Sequence, residues 1–518
     1  MIQINFPPGD YFFDGVVSIP SNYTLNGAGA DSTLLLFDLD GASSDLLYAS
    51  GTTTGTSTPI AGSLTTGEFA FDVTDADLFE VGDWVQIVDN DDDLITSDWS
   101  AGKTGQILQI VTVSGDEIEF DSPFRRDYLA TNEPYLELLN MKENVSVQNL
   151  KIERMDATDA QTNNISFRYA VNCQVSCVES VMTNFAHVRF EFSSNCVVKG
   201  SYFNDAFSHG SGGKGYGVVC QFATGECLIT DNNFERLRHS MLVQAGANGN
   251  VYSYNNSIDP YWTDVVSPSN AAGDIVLHGN YVYLNLFEGN ICQNIIIDNS
   301  QGTNGPYNTF FRNRAALYGI FMNSSPASDA QNFIANEITD DGVFKGLYVL
   351  EGTDHFEYGN NQLGETVPVG TVDLPQASLY LDEIPFYYET YSSWPPIGYP
   401  NELDDYNNEA FNNLSDGFQT QCENLYEDIS VVDSDNYNYG NEILIYPNPT
   451  SDLFTIEILD YKGSLDNVEI KLYNLNGQFI QSFKGGLQID LSTYECGTYL
   501  VRVKYGNESI SYNRIVKD

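Results

Sequence analysis

At 518 residues, with 71 acidic against 22 basic side chains and a formal net charge of −49, the chain is long enough for two or three domains. A surface of that sign repels polyanions, which argues against nucleic acid and anionic membranes as partners, and no stretch approaches the ~20 apolar residues of a membrane helix. The 43 Gly, 33 Tyr and 30 Phe, with recurrent Asn and little helical periodicity, favour many short strands joined by tight turns.

In chain order, Met1-Ile-Gln-Ile-Asn-Phe-Pro-Pro-Gly9 already reads as folded structure, so a signal peptide is expected to have been removed. Phe6-Pro-Pro-Gly-Asp-Tyr11 through Leu25-Asn-Gly-Ala-Gly29 resembles the opening coils of pectate-lyase-like β-helices. Residues 64–132 break that rhythm with hairpin-like strands, Leu78-Phe-Glu-Val-Gly-Asp-Trp-Val-Gln-Ile87 and Gly105-Gln-Ile-Leu-Gln-Ile-Val-Thr-Val-Ser-Gly115, and read as a small β insertion.

From about residue 171 to 365 a polar residue followed two places later by an apolar one keeps returning. The marks are Ser180, Ser201, Asn232, Asn256, Asn290, Asn313, Asn336 and Asn361, at steps of 21, 31, 24, 34, 23, 23 and 25 residues. A base step near 23 with two longer ones describes a solenoid with insertions in two coils. Alternating runs such as Val188-Arg-Phe-Glu-Phe192 and Val218-Val-Cys-Gln-Phe222 lie between the marks, and period 2 means strand. At ~3.3 Å per residue, such a coil fits three short strands and three turns. The expectation is an all-β chain: a right-handed parallel β-helix over 1–400, with an Asn ladder in one turn.

Cys173, Cys196 and Cys227 each open a similar phrase and read as buried thiols stacked in successive coils, not as a disulfide framework. The Asp-, Asn- and Tyr-rich stretch 401–440 reads as the end of a cap plus a linker. In 441–518, alternating strands between Asn-Gly and Gly-Gly turns predict a small β-sandwich. Ile445-Tyr-Pro-Asn-Pro-Thr-Ser-Asp452, Val468-Glu-Ile-Lys-Leu-Tyr-Asn-Leu-Asn-Gly477 and Gly497-Thr-Tyr-Leu-Val-Arg-Val503 closely resemble the type A sorting domain of the type IX secretion system. That resemblance implies export by the type IX machinery, then release or attachment at the cell surface.

The alternation places Glu191, Gln221, Gln244, His278, Asp298 and Asn323 in one outward column, with Arg189, Val219, Leu242 and Val276 beside it. The turn before these strands is expected to hold His187, Tyr216, Arg238 and His239. The two insertions, about 205–216 and 259–274, enter at the same point and carry His209, Lys214, Tyr261 and Trp262. Four of the five histidines fall in these coils, and Arg189, Lys214, Arg236, Arg238, Arg312 and Arg314 crowd the same region of an otherwise acidic chain. Polar side chains interleaved with aromatic faces suit a sugar chain, so Arg189, Glu191, Gln221, Gln244, His278, Asp298 and Trp262 are the candidate substrate contacts.

The central coils, Gly215-Tyr-Gly-Val-Val219 and Leu237-Arg-His-Ser-Met241, resemble secreted proteins of the pectate-lyase-like superfamily, which implies a polysaccharide lyase or a glycoside hydrolase. β-Elimination needs a base, a cation against the uronate carboxylate and an acid for the leaving oxygen. Lys214 and Arg238 stand one coil apart, a spacing similar to the Lys/Arg pair of alginate and chondroitin lyases of this fold, although the flanking motifs differ. His209 or His239 with Tyr216 is the competing acid/base pair. A hydrolase would need paired carboxylates from Glu191, Asp205, Asp274 and Asp298, and a non-catalytic adhesin would need neither. No Cys/His metal spacing occurs. Calcium through Glu191 and its neighbours is the cofactor to consider, Asp89–Asp93 reads more as an acidic loop than as a calcium site in the insertion, and the chain is expected to act as a monomer.

Overall fold

The structure is a computed structural model that describes residues 1–210, 212–261, 273–322 and 326–371, parts of 376–420, and most of the strands from Ile443 to Lys517. It divides into two compact units, Met1–Ala377 with Pro395–Gln421, and Ser378–Trp394 with Cys422–Asp518.

The first unit is a parallel β-helix. Among the described residues, 29 strands form one continuous and almost wholly parallel sheet. One coil runs Leu228–Thr230, Asn233–Glu235 and His239–Gln244, and the next repeats it as Val251–Ser253, Asn256–Ile258 and Ile275–His278. Like side chains stack inside at strand spacing. Tyr252, Phe287, Phe310 and Phe333 follow one another at 5.1, 5.2 and 5.2 Å between ring centres, and Phe167 lies 5.2 Å from Phe190.

The Asn ladder is Asn232–Asn255–Asn290–Asn313–Asn336–Asn360, each side-chain oxygen accepting from the backbone and the side-chain N–H of the rung before. Two rungs therefore sit one residue before the sequence marks at Asn256 and Asn361. Asn255-Asn256 and Asn360-Asn361 are doublets, and only the inward member can join. Each rung follows a left-handed residue, φ 54° at Tyr254 and 67° at Gly289. Glycine is required at 289, because a Cβ there would stand 2.5 Å from the Tyr254 ring. A second ladder, Asn250–Asn285–Asn308–Gln331, runs up another turn.

Between the early coils an antiparallel six-stranded sheet stands aside from the solenoid, in the order Thr52–Pro59, Tyr135–Asn140, Trp84–Val88, Gln106–Ser114, Glu117–Phe120, Ala70–Asp72. It is wider than 64–132 and has its own core, including Val85, Ile87, Leu108, Ile118 and Leu136. Cys173, Cys196, Cys220, Cys227 and Cys292 are free and buried. Cys177 is disulfide-bonded to a partner outside the described residues. The second unit carries two antiparallel sheets around Phe454, Ile456, Ile470, Leu472, Ile489, Val501 and Val503. Residues 421–442, most of the expected linker, lie outside the described residues.

Candidate functional site

One face of the solenoid is built by Ile165–Arg168, Ala186–Glu191, Tyr216–Gln221, His239–Gln244, Ile275–His278 and Ile291–Asp298. Val188, Val218, Met241 and Ile275 pair across neighbouring strands and belong to the core. Their alternates point outward, so Arg168, Glu191, Gln221 and Gln244 pair into a row, continued by His278 beside Asp298. Its stretch from Glu191 to Gln244 is hydrogen-bonded. Gln244 donates to Gln221, Gln221 to Glu191 (2.6 Å), and Glu191 meets Arg189 at 3.4 Å and Arg168 at 3.7 Å. Arg189 also reaches Asp45 at 3.4 Å. The neighbouring column Val219, Leu242 and Val276 is buried with Phe185, Ala186 and Tyr216 in an apolar cluster of its own.

Tyr216 and His239 are not turn residues but the first residues of adjacent strands, 4.7 Å apart between ring centres. His239 lies 5.8 Å from His278, whose Nδ1 donates to Asp298 at 2.7 Å. Burial raises the Asp298 carboxyl, but the hydrogen bond and charge of His278 and two bonds from Ser300 outweigh it and hold Asp298 below the ordinary carboxylate range. His239 Nδ1 faces the Gly273 carbonyl at 3.0 Å. A carbonyl can only accept, so Nδ1 carries the proton and Nε2 is a bare lone pair, buried and without a partner among the described residues. Burial, then the charges of Arg238 and His278, holds this imidazole well below its usual range and keeps it neutral. Burial pushes the Tyr216 phenol up to about 12 against the pull of Arg238, so it stays protonated at neutral pH.

The insertion from Asp205 closes over the same end of the strands. Arg238 donates its backbone N–H to the Gly215 carbonyl (2.8 Å) and its guanidinium to the Gly210 carbonyl at 2.6 Å. His209 stacks on Tyr261 at 3.8 Å and donates Nε2–H to the Arg236 carbonyl at 2.9 Å. Burial lowers the basicity of His209. Lys214 lies on the same insertion, its ammonium 3.3 Å from Asp159 rather than set against a second cation. Tyr216, Arg238 and His239 thus converge with His278 and Asp298, and His209 and Lys214 flank them. Trp262 lies outside the described residues.

Three expectations change. His187 points inward, bonded to Ser180 (2.8 Å) and the Asp205 carbonyl (3.1 Å), and burial lowers it to about 3. Arg312 and Arg314 leave the cationic cluster: both are buried, Arg312 on the Gln376 and Gly398 carbonyls and Arg314 on Glu337 and Asn407. Arg236 is held by Asp205 at 2.7 Å. The acids of 89–93 have internal uses, Asp89 against Arg126 and Asp91 on the N–H groups of Gly102, Lys103 and Thr104.

The sequence reading missed a second wall. A loop of the antiparallel insertion docks on the turn after the face strands, where Asn280 accepts from Thr96 (2.9 Å) and Ser97 (3.1 Å). It sets Lys103 3.9 Å over the Phe222 ring, close enough to Glu191 for the two charges to interact. No local pattern marks so remote a contact.

Residues 444–518 match the family of secretion system C-terminal sorting domains. The chain is therefore secreted or displayed at the cell surface, and no helix among the described residues is long and apolar enough to cross a membrane. No curated protein matches the sequence. Among solved structures, the chain is similar to the tailspike gp61 of Pseudomonas phage phi297 at 14% identity over 99% of this chain and 86% of that one, TM-score 0.48. It also resembles the Gp54 tailspike of Acinetobacter baumannii bacteriophage AP22, solved with a capsular saccharide, at 15% identity over 69% of this chain, TM-score 0.45; it covers 65% of that tailspike. The catalytic domain of a GH87 α-1,3-glucanase, solved with nigerose, aligns at 9% identity over 69% of this chain and 61% of that one, TM-score 0.29.

Proposed function

We propose that this exported β-helix is a polysaccharide lyase that cleaves a uronate-containing glycan by β-elimination at Tyr216, Arg238 and His239. The observation that carries the reading is the pairing of a neutral imidazole, bare at Nε2, with a phenol that burial keeps protonated, beside a guanidinium. Arg238 neutralises the uronate carboxylate, which acidifies the adjacent C5–H. His239 Nε2 takes that proton, its electron pair forms the C4–C5 double bond, and the C4–O bond breaks. The leaving oxygen takes the Tyr216 proton, and exchange with water restores both groups. Arg189, Glu191, Gln221, Gln244, His278 and Asp298 line the path of the bound chain.

Hydrolysis by paired carboxylates fits less well. Glu191 and Asp298 are four strand spacings apart, roughly 19 Å at ~4.8 Å each, beyond the ~5–9.5 Å that inverting and retaining pairs need. The acidic shell repels a polyuronate at long range, but salt cuts that reach to about 8 Å and leaves the local cations in control. Incubation with alginate, pectate, ulvan, chondroitin and neutral glycans is the test. An ultraviolet-absorbing unsaturated uronate is expected; new reducing ends without it mean hydrolysis, and binding with neither means an adhesin.

A further inference from the structure

The C-terminal wrap brings a carboxylate into contact with the solenoid. Asp231, at the left-handed corner (φ 56°), and Asn233 flank Asn232, whose side chain is in the internal ladder. Asn233 pairs in register with Asn256 of the next coil. The short helix Glu409–Ser415 packs against Asn233–Glu235 and brings Glu409 to face Asp231. Just before it, Asn408 fixes the wrap by donating to the Asn255 and Gly289 carbonyls at 2.8 and 3.1 Å.

Asp231 and Glu409 are both 0% exposed. Among the described residues, neither Asp231 oxygen finds a donor and no cationic side chain interacts with it. The wrap itself cannot supply one, because no Lys or Arg occurs between Lys345 and Lys462. The nearby guanidinium of Arg236 is held by Asp205 and Glu235. A second buried group is left over on the strand beside Asn233. Asn256 Nδ2 donates to Asn233 Oδ1 at 2.8 Å, which leaves Asn256 Oδ1 buried and unpartnered. Turning both amides round frees the other oxygen instead, so the pair always has one oxygen to offer.

Burying a bare carboxylate beside a second one costs several kcal/mol unless a cation or a proton compensates. We propose that Asp231, Glu409 and one amide oxygen of the Asn233–Asn256 pair hold a calcium ion that fastens the C-terminal wrap to the solenoid. The donors are all oxygen, which selects a hard cation, and calcium tolerates irregular sets completed by carbonyls or water. An exported protein meets calcium at concentrations that such modules use. The rival is a proton shared between the two carboxyls.

Full-length protein is compared in calcium chloride and in EGTA by metal analysis, thermal unfolding and hydrogen exchange. Calcium raises the midpoint by about 5 °C and slows exchange across 406–417. Asp231→Asn keeps a residue that tolerates φ 56°, and with Glu409→Gln it loses one bound calcium per chain and most of the midpoint shift. The proposal is overturned if wild-type 406–417 exchanges alike in calcium and EGTA, or if both variants keep the full calcium content. Should Asp231→Asn not fold, Glu409→Gln and wild-type exchange decide alone.

Discussion

Replacing Asn290 by Ala removes the centre of the internal ladder. Its Nδ2 donates to Asn313 and to the Tyr252 carbonyl, both at 2.9 Å, and its Oδ1 accepts from the N–H (3.0 Å) and Nδ2 (2.9 Å) of Asn255. Each bond contributes about 1 kcal/mol net, and the buried Asn255 N–H loses its acceptor at a further ~1–3 kcal/mol. The side chain is wholly buried, so water cannot fill in without opening the coil. A loss of about 5–7 kcal/mol is expected. Asn332→Ala is the control, since its Nδ2 makes one half-buried bond to Thr309 (3.0 Å) and its removal should cost under ~1 kcal/mol. Urea unfolding of the solenoid, with exchange localised to 250–340, reads both. If Asn290→Ala costs no more than Asn332→Ala, the ladder is decoration and the reasoning fails.

Below about pH 6.5 the unfolded chain protonates at His187 while the native ring, held near 3, does not, so stability falls as pH drops toward 3 at ~1.4 kcal/mol per unit; His187→Gln should flatten that limb in acid titrations. Asp274 acts in the opposite sense. Burial raises it to about 7, so its contribution is present below about pH 3.8 and is lost as pH climbs to 7; Asp274→Asn should remove that decline. Tyr216→Phe, His239→Ala and Arg238→Ala should each lower kcat/KM by about 10²–10⁴ on the responsive glycan. An equal loss in Lys214→Ala with His239→Ala intact would move the base to Lys214. Cys173, Cys196, Cys220, Cys227 and Cys292 should resist thiol reagents until urea unfolds the solenoid, and labelling at the native rate would contradict their burial.

Period-2 alternation was enough to read the outward row from Glu191 to Asp298, because those strands keep one face in the core. It failed at the strand starts. His187 and Val188 both turn inward, as do Ser240 and Met241, so the count slips by one where the chain rounds the corner. Asparagine doublets hid which member joins the ladder. Arg312 and Arg314 looked like part of a cationic site, since nothing local tells that Gln376, Gly398 and Asn407 return to bind them. The Lys103 wall was hidden for the same reason, being some eighty residues upstream of the face it borders.

The direct test of the central claim is digestion of the responsive glycan in water enriched in heavy oxygen, with the products weighed by mass spectrometry. Elimination predicts products that lack the elements of water and carry no heavy oxygen, in wild type but not in Tyr216→Phe. One heavy oxygen per cleaved bond would mean hydrolysis and would contradict the account.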